Sequence, residues 1–286
     1  MRSAGDERDA AASGRAMGLD LGASLAKLAI RHDSGERELR LLPSQDGNAV
    51  LEAVEEIAPA RVGLTGAGAQ KLAGKLPAEP LLINEFAAWG RGASVLLDGQ
   101  HDSDDQRFLL VSLGTGTSVM LCDGMAVSRV GGTALGGGTV LGLGSLLVGE
   151  NSFQRLTELA ATGDRRNVDL LVGDIYQPGQ IALAGDTTAA AFGKPAVRSE
   201  ASNPADLAQA IMGLVGENVA VLCSALAGTH QVKRVVFGGA TLRENPTLRA
   251  ILLGTTAAFG RQPVSLEDGE FTGALGALAL VHEAAA

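Results

Sequence analysis

Two short turns that combine glycine with hydroxyl residues could bind phosphate. The first is Gly22-Ala23-Ser24 within "GLDLGASLAK", and the second is "SLGTGTS" over 112–118, where Thr115 lies between two glycines. Glycine lets backbone N–H groups approach an anion closely, and a hydroxyl adds a further donor. Each turn alone would also suit an ordinary β-hairpin. Two of them in one chain favour a nucleotide held between two similar halves.

Charged residues beside the first turn fit the same chemistry. Asp20 comes just before the turn on a predicted strand and could hold a hydrated Mg²⁺, and Lys27 could balance the charge of a phosphate. Neither turn is a Walker A motif or a dinucleotide-binding GxGxxG motif. The cysteines and histidines are scattered, so the sequence does not predict a structural zinc site.

The densest glycine cluster lies in a long uncharged run between Arg129 and Glu150. Its loop 136–139, Gly-Gly-Gly-Thr, comes directly before an apolar helical pattern, and free N–H groups at a helix N-terminus attract anions. Glycine weakens a free helix and contributes little to transfer into lipid. We therefore expect an anion-binding loop and a buried helix rather than a membrane span.

Two isolated charges stand in apolar surroundings. Glu85 lies between "LLI" and "FAAW" at a strand-to-helix transition, where Asn84 can cap the helix and leave Glu85 free for chemistry. The alternative role for Glu85 is a first-turn charge that interacts with the helix dipole. Arg129 is placed to meet an anionic group, and its alternative role is a salt bridge at the end of a strand.

A glycine pair in the second half could contact a nucleoside. Gly238 and Gly239 follow a buried strand pattern and precede a helix in "VVFGGATLREN". In a two-lobed nucleotide fold, such a pair can lie flat against adenine or ribose. A routine strand-to-helix turn explains the pair equally well.

Composition excludes several classes of function. The chain has 286 residues, 46% of them hydrophobic, and a net charge of −9, which disfavours nucleic acid as a partner. Cys122 and Cys223 lie in apolar stretches and are expected to be buried free thiols in a reducing cytosol. Residues 1–16 lack an apolar stretch and are expected to form a flexible leader rather than a signal peptide. We expect a cytoplasmic protein with no membrane partner.

The order of predicted elements indicates a duplicated α/β fold. A strand, a glycine-hydroxyl turn and a second strand begin at Met17, and the same pattern begins again at residue 107. The predicted lobes are 17–106 and 107–286, with a polar boundary at 98–107. The expected strands are at 17–21, 25–31, 38–42, 61–66, a short one from residue 80 up to Asn84, and at 107–113, 117–123, 125–130, 232–239 and near Val264. The expected helices are at 48–58, 84–97, 139–161, 166–175, 203–229, 243–259 and from Phe271 onward.

Several segments together resemble the type II pantothenate kinases, which have the two-lobed actin/Hsp70/hexokinase-like (ribonuclease H-like) fold with the nucleotide in the cleft between the lobes. The segments include "GLDLGAS", "NEFAAWGRG", "GTGTS", "SRVGGTALGGGT", "GDRRNVDLLVGDIY", "VVFGGATLREN" and "GEFTGALGALALV". The similarity covers roughly Met17 to the C-terminus. It departs from the family at Ala23, because the first turn usually reads Gly-Gly-Thr.

The resemblance implies MgATP as the phosphoryl donor and pantothenate as the acceptor. It implies that Glu85 is the catalytic base, that Asp20 binds the metal, and that the pantothenate site includes Glu85, Thr115, Ser118 and Arg129. The implied ATP contacts are Gly22, Ala23, Ser24, Lys27, Thr115, Gly136, Gly137, Gly138, Thr139, Val140, Phe153, Gly238 and Gly239. It also implies a homodimer through helices of the second half, and it leaves CoA or acyl-CoA open as a feedback ligand.

Two alternatives remain open from the residues alone. A sugar kinase of the same fold, acting on N-acetylglucosamine for example, would need several Asp, Asn and Glu side chains to bind hydroxyls. The expected pocket offers one glutamate, hydroxyls and an arginine, which better suits an alcohol that carries a carboxylate. A nucleotide-binding regulator without turnover is the other alternative, although Glu85, Asp20 and Arg129 are all present.

Overall fold

The computed structural model describes residues 14–44, 46–76, 79–97, 107–196 and 202–284. Residues 1–13 of the expected leader and residues 98–106 of the expected boundary loop lie outside the described residues. The end of the expected leader is structured, since the first strand begins at Ala16.

The first half contains a five-stranded mixed sheet in the order β3-β2-β1-β4-β5. β1, β2 and β3 are antiparallel, whereas β4 and β5 run parallel to β1. The strands are β1 Ala16–Leu21, β2 Leu25–Arg31, β3 Arg37–Pro43, β4 Arg61–Thr65 and β5 Leu81–Leu82. The helices are α1 Gly47–Ile57, α2 Ala69–Ala73 and α3 Glu85–Leu97. The apolar face of α1 packs on the sheet through Val50, Val54 and Ile57.

The second half repeats this topology. Its sheet has the order β12-β11-β6-β7-β8, in which β6, β7 and β8 are antiparallel and β11 and β12 run parallel to β6. The strands are β6 Arg107–Leu113, β7 Thr117–Asp123, β8 Ala126–Thr133, β11 Arg234–Gly238 and β12 Gln262–Ser265. Because each sheet has a three-strand antiparallel part and two parallel strands, the predicted duplication is confirmed.

The second half also contains helices and short elements, several of which pack on its sheet. The longer helices are α4 Gly137–Leu143, which continues as a π-helical turn over Gly144–Val148, then α5 Phe153–Thr162, α7 Pro204–Thr229, α8 Pro246–Ala258 and α9 Thr272–Glu283. The short elements are β9 Leu170–Leu171, α6 Val172–Ile175, β10 Thr188–Ala190 and 3₁₀ turns at Arg165–Asn167, Lys194–Ala196, Ala240–Leu242 and Gly269–Phe271. β9 and β10 form a separate two-stranded sheet.

Two expected helices differ from the structure. The single helix expected over 139–161 is interrupted, because Gly149 has a left-handed backbone (φ 76°) and Ser152 starts a new helix by capping the N–H of Arg155. The helix expected over 166–175 is a 3₁₀ turn, a two-residue strand and one helical turn. α2 and β10 were not expected from the sequence.

The long helix α7 passes the length and hydropathy criteria for a membrane span, but 61% of its most apolar window is buried inside the protein. Its side chains Ile211, Val215, Val219 and Cys223 belong to the core of the second half. Burial within the core therefore accounts for the apolar composition of this helix.

α3 and α9 lie against each other between the two sheets. Trp89 and Ala93 of α3 pack on the second sheet. α9 packs on the first sheet so closely that a Cβ atom on Gly18 of β1 would lie 2.0 Å from the carbonyl oxygen of Ala274. The last helix of the chain thus returns to the first half.

Replacement of Gly276 by alanine is expected to destabilise this helix pair. A Cβ atom on Gly276 of α9 would lie 1.7 Å from the carbonyl oxygen of Ala88, so the backbones of α3 and α9 would have to separate. Overpacking costs about 1–3 kcal/mol, and we expect a Tm lower by several degrees. Gly254→Ala in α8 is the matched control, since a Cβ atom at Gly254 would meet nothing within 4 Å, and the helix should be unchanged or stabilised. Equal melting temperatures for both variants would contradict the packing argument.

Candidate nucleotide and acceptor site

Asp20 and Lys27 face each other across the first hairpin. They are paired in register on β1 and β2, and the Nζ atom of Lys27 lies 3.5 Å from Oδ2 of Asp20. Only 2% of Asp20 is exposed. Burial raises the pKa of the Asp20 carboxyl, and the positive charge of Lys27 opposes this rise. The structure therefore brings together the expected metal ligand and the expected phosphate-balancing lysine.

The first turn leaves hydrogen-bond donors available to a ligand. The N–H of Gly22 donates to the carbonyl of Leu25 at 3.1 Å and closes the turn. The N–H groups of Ala23 and Ser24 and the Ser24 hydroxyl make no hydrogen bond to any described residue, and both residues are exposed. Ala23 does not have a positive φ, so alanine fits this turn without backbone strain.

The second turn and the glycine loop form one backbone cluster. The N–H groups of Gly136, Gly137 and Gly138 donate to Thr139 Oγ1 at 3.3 Å, to the carbonyl of Gly114 at 2.8 Å and to the carbonyl of Thr115 at 2.9 Å, respectively. The expectation that these N–H groups are free to bind an anion is therefore wrong. The glycines serve close packing, because a Cβ atom on Gly136 would lie 2.7 Å from the carbonyl oxygen of Thr115. The hydroxyl and the N–H group of Thr115 make no hydrogen bond with a described residue, so both remain available to a ligand.

The elements after the glycine loop differ in part from the expectation. Val140 is fully buried in the core of the second half, so its side chain cannot contact ATP. Phe153 is partly buried against the same core. The expected burial of the apolar helix is wrong for its last turn, where Leu146 is 82% exposed and Leu147 is 47% exposed.

Gly238 and Gly239, at the end of β11, contact the 3₁₀ turn Gly269–Phe271, which leads into α9. Gly239 has φ 111°, which favours glycine, and its N–H donates to the carbonyl of Gly269 at 3.0 Å. A Cβ atom on Gly239 would lie 2.3 Å from the carbonyl oxygen of Leu113, immediately before the second turn. A Cβ atom on Gly273 would lie 2.6 Å from Oδ2 of Asp20. The glycine pair, the second turn and Asp20 therefore border one continuous region.

Glu85 lies in the first turn of α3, near Asp20 and Lys27. Asn84 caps the helix by accepting hydrogen bonds from the N–H groups of Phe86 and Ala87, as expected. Partial removal from water raises the pKa of the Glu85 carboxyl, the negative charge of Asp20 raises it further, and Lys27 lowers it. Glu85 is exposed and makes no hydrogen bond or ion pair with a described residue. Its carboxylate is therefore free to accept a proton.

Ser118 and Arg129 lie side by side on the second sheet. Ser118 pairs with Gly132, and a Cβ atom on Gly132 would lie 2.7 Å from Nη2 of Arg129 and 3.5 Å from Cα of Ser118. Met120 shares a sheet face with Ser118 and packs against Trp89, so Ser118 faces the side on which α3 lies. Arg129 forms no ion pair with any described residue. The strand-end salt bridge considered for it is therefore absent from the described part of the chain.

Three further residues line this region without having been expected from the sequence. Thr241 donates its hydroxyl to the carbonyl of Gly114 at 2.8 Å, and Gly273 and Trp89 lie beside Asp20. Thr241 carried a usable signal, since it lies two residues after the glycine pair. Gly273 and Trp89 carried none, because only the return of α9 to the first sheet brings them to Asp20.

Comparison with known proteins assigns the family. A family model described as Fumble matches residues 92–280. The type II pantothenate kinase of Staphylococcus saprophyticus is 32% identical over 92% of this chain and 99% of that protein, and that of Staphylococcus epidermidis is 35% identical with the same coverage. The chain belongs to the type II pantothenate kinase family.

Solved structures agree with the fold expected for this family. Component A of the Acidaminococcus fermentans (R)-2-hydroxyglutaryl-CoA dehydratase aligns with a TM-score of 0.62 and 20% identity over 96% of this chain and 99% of that chain. A ROK family glucokinase from Streptomyces griseus, in complex with glucose and AMPPNP, aligns with a TM-score of 0.61 and 13% identity over 94% and 100% of the two chains. The predicted fold class and the resemblance to type II pantothenate kinases are both confirmed.

Proposed function

We propose that the protein transfers the γ-phosphoryl group of ATP to the primary hydroxyl of pantothenate and forms 4′-phosphopantothenate, the first step of coenzyme A biosynthesis. The similarity to type II pantothenate kinases over 92% of the chain carries this proposal. The site supports it chemically, since it combines an unpaired carboxylate, free turn donors and an arginine without an ion-pair partner among the described residues.

Glu85 accepts the proton of the attacking hydroxyl in the proposed reaction. The hydroxyl oxygen forms a bond to the γ-phosphorus of ATP as the bond to the ADP oxygen breaks. Catalysis of such a transfer depends mostly on positioning and on stabilisation of charge. A raised pKa suits a general base, because the base must bind the proton in the transition state.

The remaining contacts divide between the acceptor and the nucleotide. Arg129 binds the carboxylate of pantothenate, with Ser118 and Thr115 as hydroxyl donors beside it. The free donors of Ala23 and Ser24, with Lys27, bind the phosphates of ATP. Gly238 and Gly239 lie against the adenosine. The loop 136–139 supports the nucleotide site indirectly, through its hydrogen bonds to the second turn. A related fold neighbour, the Clostridium difficile 2-hydroxyisocaproyl-CoA dehydratase activator, was solved with bound ADPNP, which supports nucleotide binding by this fold.

Asp20 would hold Mg²⁺ in this proposal. The residues fit such a site, because Mg²⁺ in kinases binds one or two carboxylates and completes its coordination with phosphate oxygens and water. When bound, the ion neutralises negative charge on the ATP phosphates. Lys27 remains close enough to Asp20 to balance the charge of its carboxylate.

An assay of purified protein with MgATP tests the function. The acceptor panel consists of pantothenate, pantetheine, glucose and N-acetylglucosamine, with mass spectrometry of the products. We expect 4′-phosphopantothenate with pantothenate and no sugar phosphate. Phosphorylation of a sugar alone would indicate a sugar kinase, and ATP binding without any product would indicate a regulator. Addition of CoA or acetyl-CoA to the same assay tests whether either is a feedback ligand, which the residues leave open. The proposal also includes a cytoplasmic location and lobes at 17–106 and 107–286.

A homodimer formed through α7 belongs to the same proposal. Leu214, Val221 and Ala225 follow a helical spacing on its outer side, and Val221 is 44% exposed. Such an apolar strip suits a self-complementary contact around a twofold axis. We expect light scattering to report a dimer at micromolar concentration and Val221→Arg to shift it toward monomer. Ser34→Arg in the exposed turn of the first half adds the same charge and should leave the dimer intact. A monomeric wild-type protein would rule this interface out.

A further inference from the structure

Thr241 connects the strand-to-helix turn after β11 with the second turn. It lies in the 3₁₀ turn Ala240–Leu242, two residues after Gly239, and only 4% of it is exposed. Its hydroxyl donates a hydrogen bond of 2.8 Å to the carbonyl of Gly114, which is 127 positions away in sequence. A single buried side chain therefore joins the glycine pair proposed to contact adenosine to the segment that carries Thr115.

The carbonyl of Gly114 is held from two sides. Besides the hydroxyl of Thr241, it accepts a hydrogen bond of 2.8 Å from the N–H group of Gly137 in the glycine loop. A Cβ atom on Gly137 would lie 2.6 Å from Oγ1 of Thr241, so a residue without a side chain is needed where the two donors converge. Since a carbonyl oxygen has two lone pairs, these two donors use its full acceptor capacity and fix its direction.

The direction of this carbonyl also sets the direction of the Thr115 N–H group. The two groups belong to one planar trans peptide unit, in which the C=O and N–H bonds point in opposite directions. The Gly114 carbonyl points toward Thr241 and Gly137, so the N–H of Thr115 points away from them. This N–H makes no hydrogen bond with a described residue. It is therefore a backbone donor with a fixed direction that remains available to a ligand.

Thr241 is itself held by the start of α8. Its carbonyl accepts a hydrogen bond of 3.3 Å from Nδ2 of Asn245, and Oδ1 of Asn245 caps α8 by accepting from the N–H of Leu248 at 3.1 Å. Asn245 is 1% exposed. A continuous chain of hydrogen bonds thus runs from the N-terminus of α8 through Thr241 to Gly114. The hydroxyl that directs the Gly114 carbonyl is therefore anchored in a helix of the second half.

We propose that Thr241 is a positioning residue: its hydroxyl orients the peptide unit between Gly114 and Thr115 so that the N–H of Thr115 binds a phosphate oxygen of ATP. A donor that is fixed before the ligand binds needs no reorganisation when negative charge develops on the phosphoryl group. The turn of Thr241 also follows the glycine pair proposed to contact adenosine, so one contact relates both ends of the nucleotide. The kinetic test of this role rests on the proposed function, whereas the hydrogen-exchange test does not.

The kinetic test uses Thr241→Val, which keeps the shape of the side chain and removes its hydroxyl. The Gly114 carbonyl retains the N–H of Gly137, so no buried acceptor loses its last partner, and we expect the Tm to fall by a few degrees at most. The value of kcat/KM for ATP should fall about tenfold, while the KM for pantothenate stays within about twofold. Thr241→Ser keeps the hydroxyl and should restore kcat/KM. Wild-type kcat/KM for ATP in Thr241→Val, with or without a lower Tm, would overturn the positioning role.

Thr256→Val is the matched control for the loss of a buried hydroxyl. Thr256 lies in α8, is fully buried, and its hydroxyl makes no hydrogen bond with a described residue. The same substitution there removes a hydroxyl without removing a contact. We therefore expect wild-type kcat/KM for ATP and a Tm that does not fall.

Hydrogen exchange in the free protein tests the contact without any turnover. The N–H groups of Gly137 and Gly138 donate to the carbonyls of Gly114 and Thr115, so their exchange reports how firmly the second turn is held. Thr241→Val should make both N–H groups exchange about fivefold faster or more, and Thr256→Val should leave them unchanged. Unchanged exchange in Thr241→Val would overturn the proposal, even if the protein phosphorylates no acceptor.

Hydrogen exchange of the wild-type protein with AMPPNP and Mg²⁺ tests the proposed ligand of Thr115. We expect the nucleotide to slow the exchange of the Thr115 N–H. Slowing at Ala23 and Ser24 without slowing at Thr115 would overturn the role of Thr241 and leave the proposed function intact. This measurement decides the question if Thr241→Val does not fold.

Discussion

Glu85→Gln is expected to lower kcat by about 10²–10⁴-fold while ATP affinity and Tm stay near those of the wild type. The amide has the same size as the carboxylate but cannot accept the proton of the attacking hydroxyl. The side chain is exposed and makes no hydrogen bond or ion pair with a described residue, so its replacement breaks no known contact. The proton can leave late in a loose phosphoryl-transfer transition state, which favours the lower end of this range.

The measurement requires kcat, ATP binding and melting on this one variant. Glu79→Gln, a change of the same kind outside α3, is the control and should match the wild type in all three. If Glu85 serves only as a helix-terminus charge, Glu85→Gln would lose about 0.3–1 kcal/mol of stability with turnover intact. That result would assign the catalytic base to another residue.

The pH dependence of the wild-type enzyme follows from the same carboxylate. Desolvation and the charge of Asp20 raise the pKa of Glu85, and the base is active only when deprotonated. The value of kcat/KM is therefore expected to fall as the pH drops through this raised pKa. A rate that stays constant well into the acidic range would argue against Glu85 as the base.

Local sequence patterns were sufficient to predict most strands and helix starts. Asn84 caps α3 as expected, because a short amide side chain before an apolar pattern satisfies free N–H groups, and Asn203 and Asn245, which were not predicted as caps, do the same for the helices that follow them. The hairpin at Gly22–Ser24 was equally predictable, since apolar strands flank the turn on both sides. These features depend on residues that are neighbours in sequence.

Features that depend on distant contacts were not predictable. The free N–H groups expected at Gly137 and Gly138 are occupied by carbonyls of the second turn, and nothing in the local pattern indicates that this turn packs there. The break at Gly149 is a different case, because its signals were local and were missed: a glycine that ends one helix is followed within three residues by the serine that caps the next. Trp89 approaches Asp20 only because α9 returns to the first sheet and places Gly273 between them.

Arg129→Ala is expected to raise the KM for pantothenate about 10- to 100-fold and to leave the KM for ATP nearly unchanged. The variant removes the cation opposite the substrate carboxylate, and loss of a hydrogen bond to a charged group costs about 1.5–3 kcal/mol. Arg129→Lys keeps the charge but loses the second parallel bond, so its KM should lie between those of alanine and arginine. Arg37→Ala, on the exposed start of β3, is the matched control and should leave both KM values unchanged.

A substrate analogue that lacks the carboxylate tests most directly whether Arg129 binds that group. An analogue of pantothenate with an alcohol in place of the carboxylate removes the partner of the guanidinium from the substrate side. The wild-type enzyme should use this analogue with a higher KM than pantothenate, whereas Arg129→Ala should use the two with similar KM values, because each change removes the same contact. If Arg129→Ala instead raises the KM for ATP and still prefers pantothenate over the analogue, Arg129 binds phosphate. The carboxylate must then be bound by another residue near Ser118.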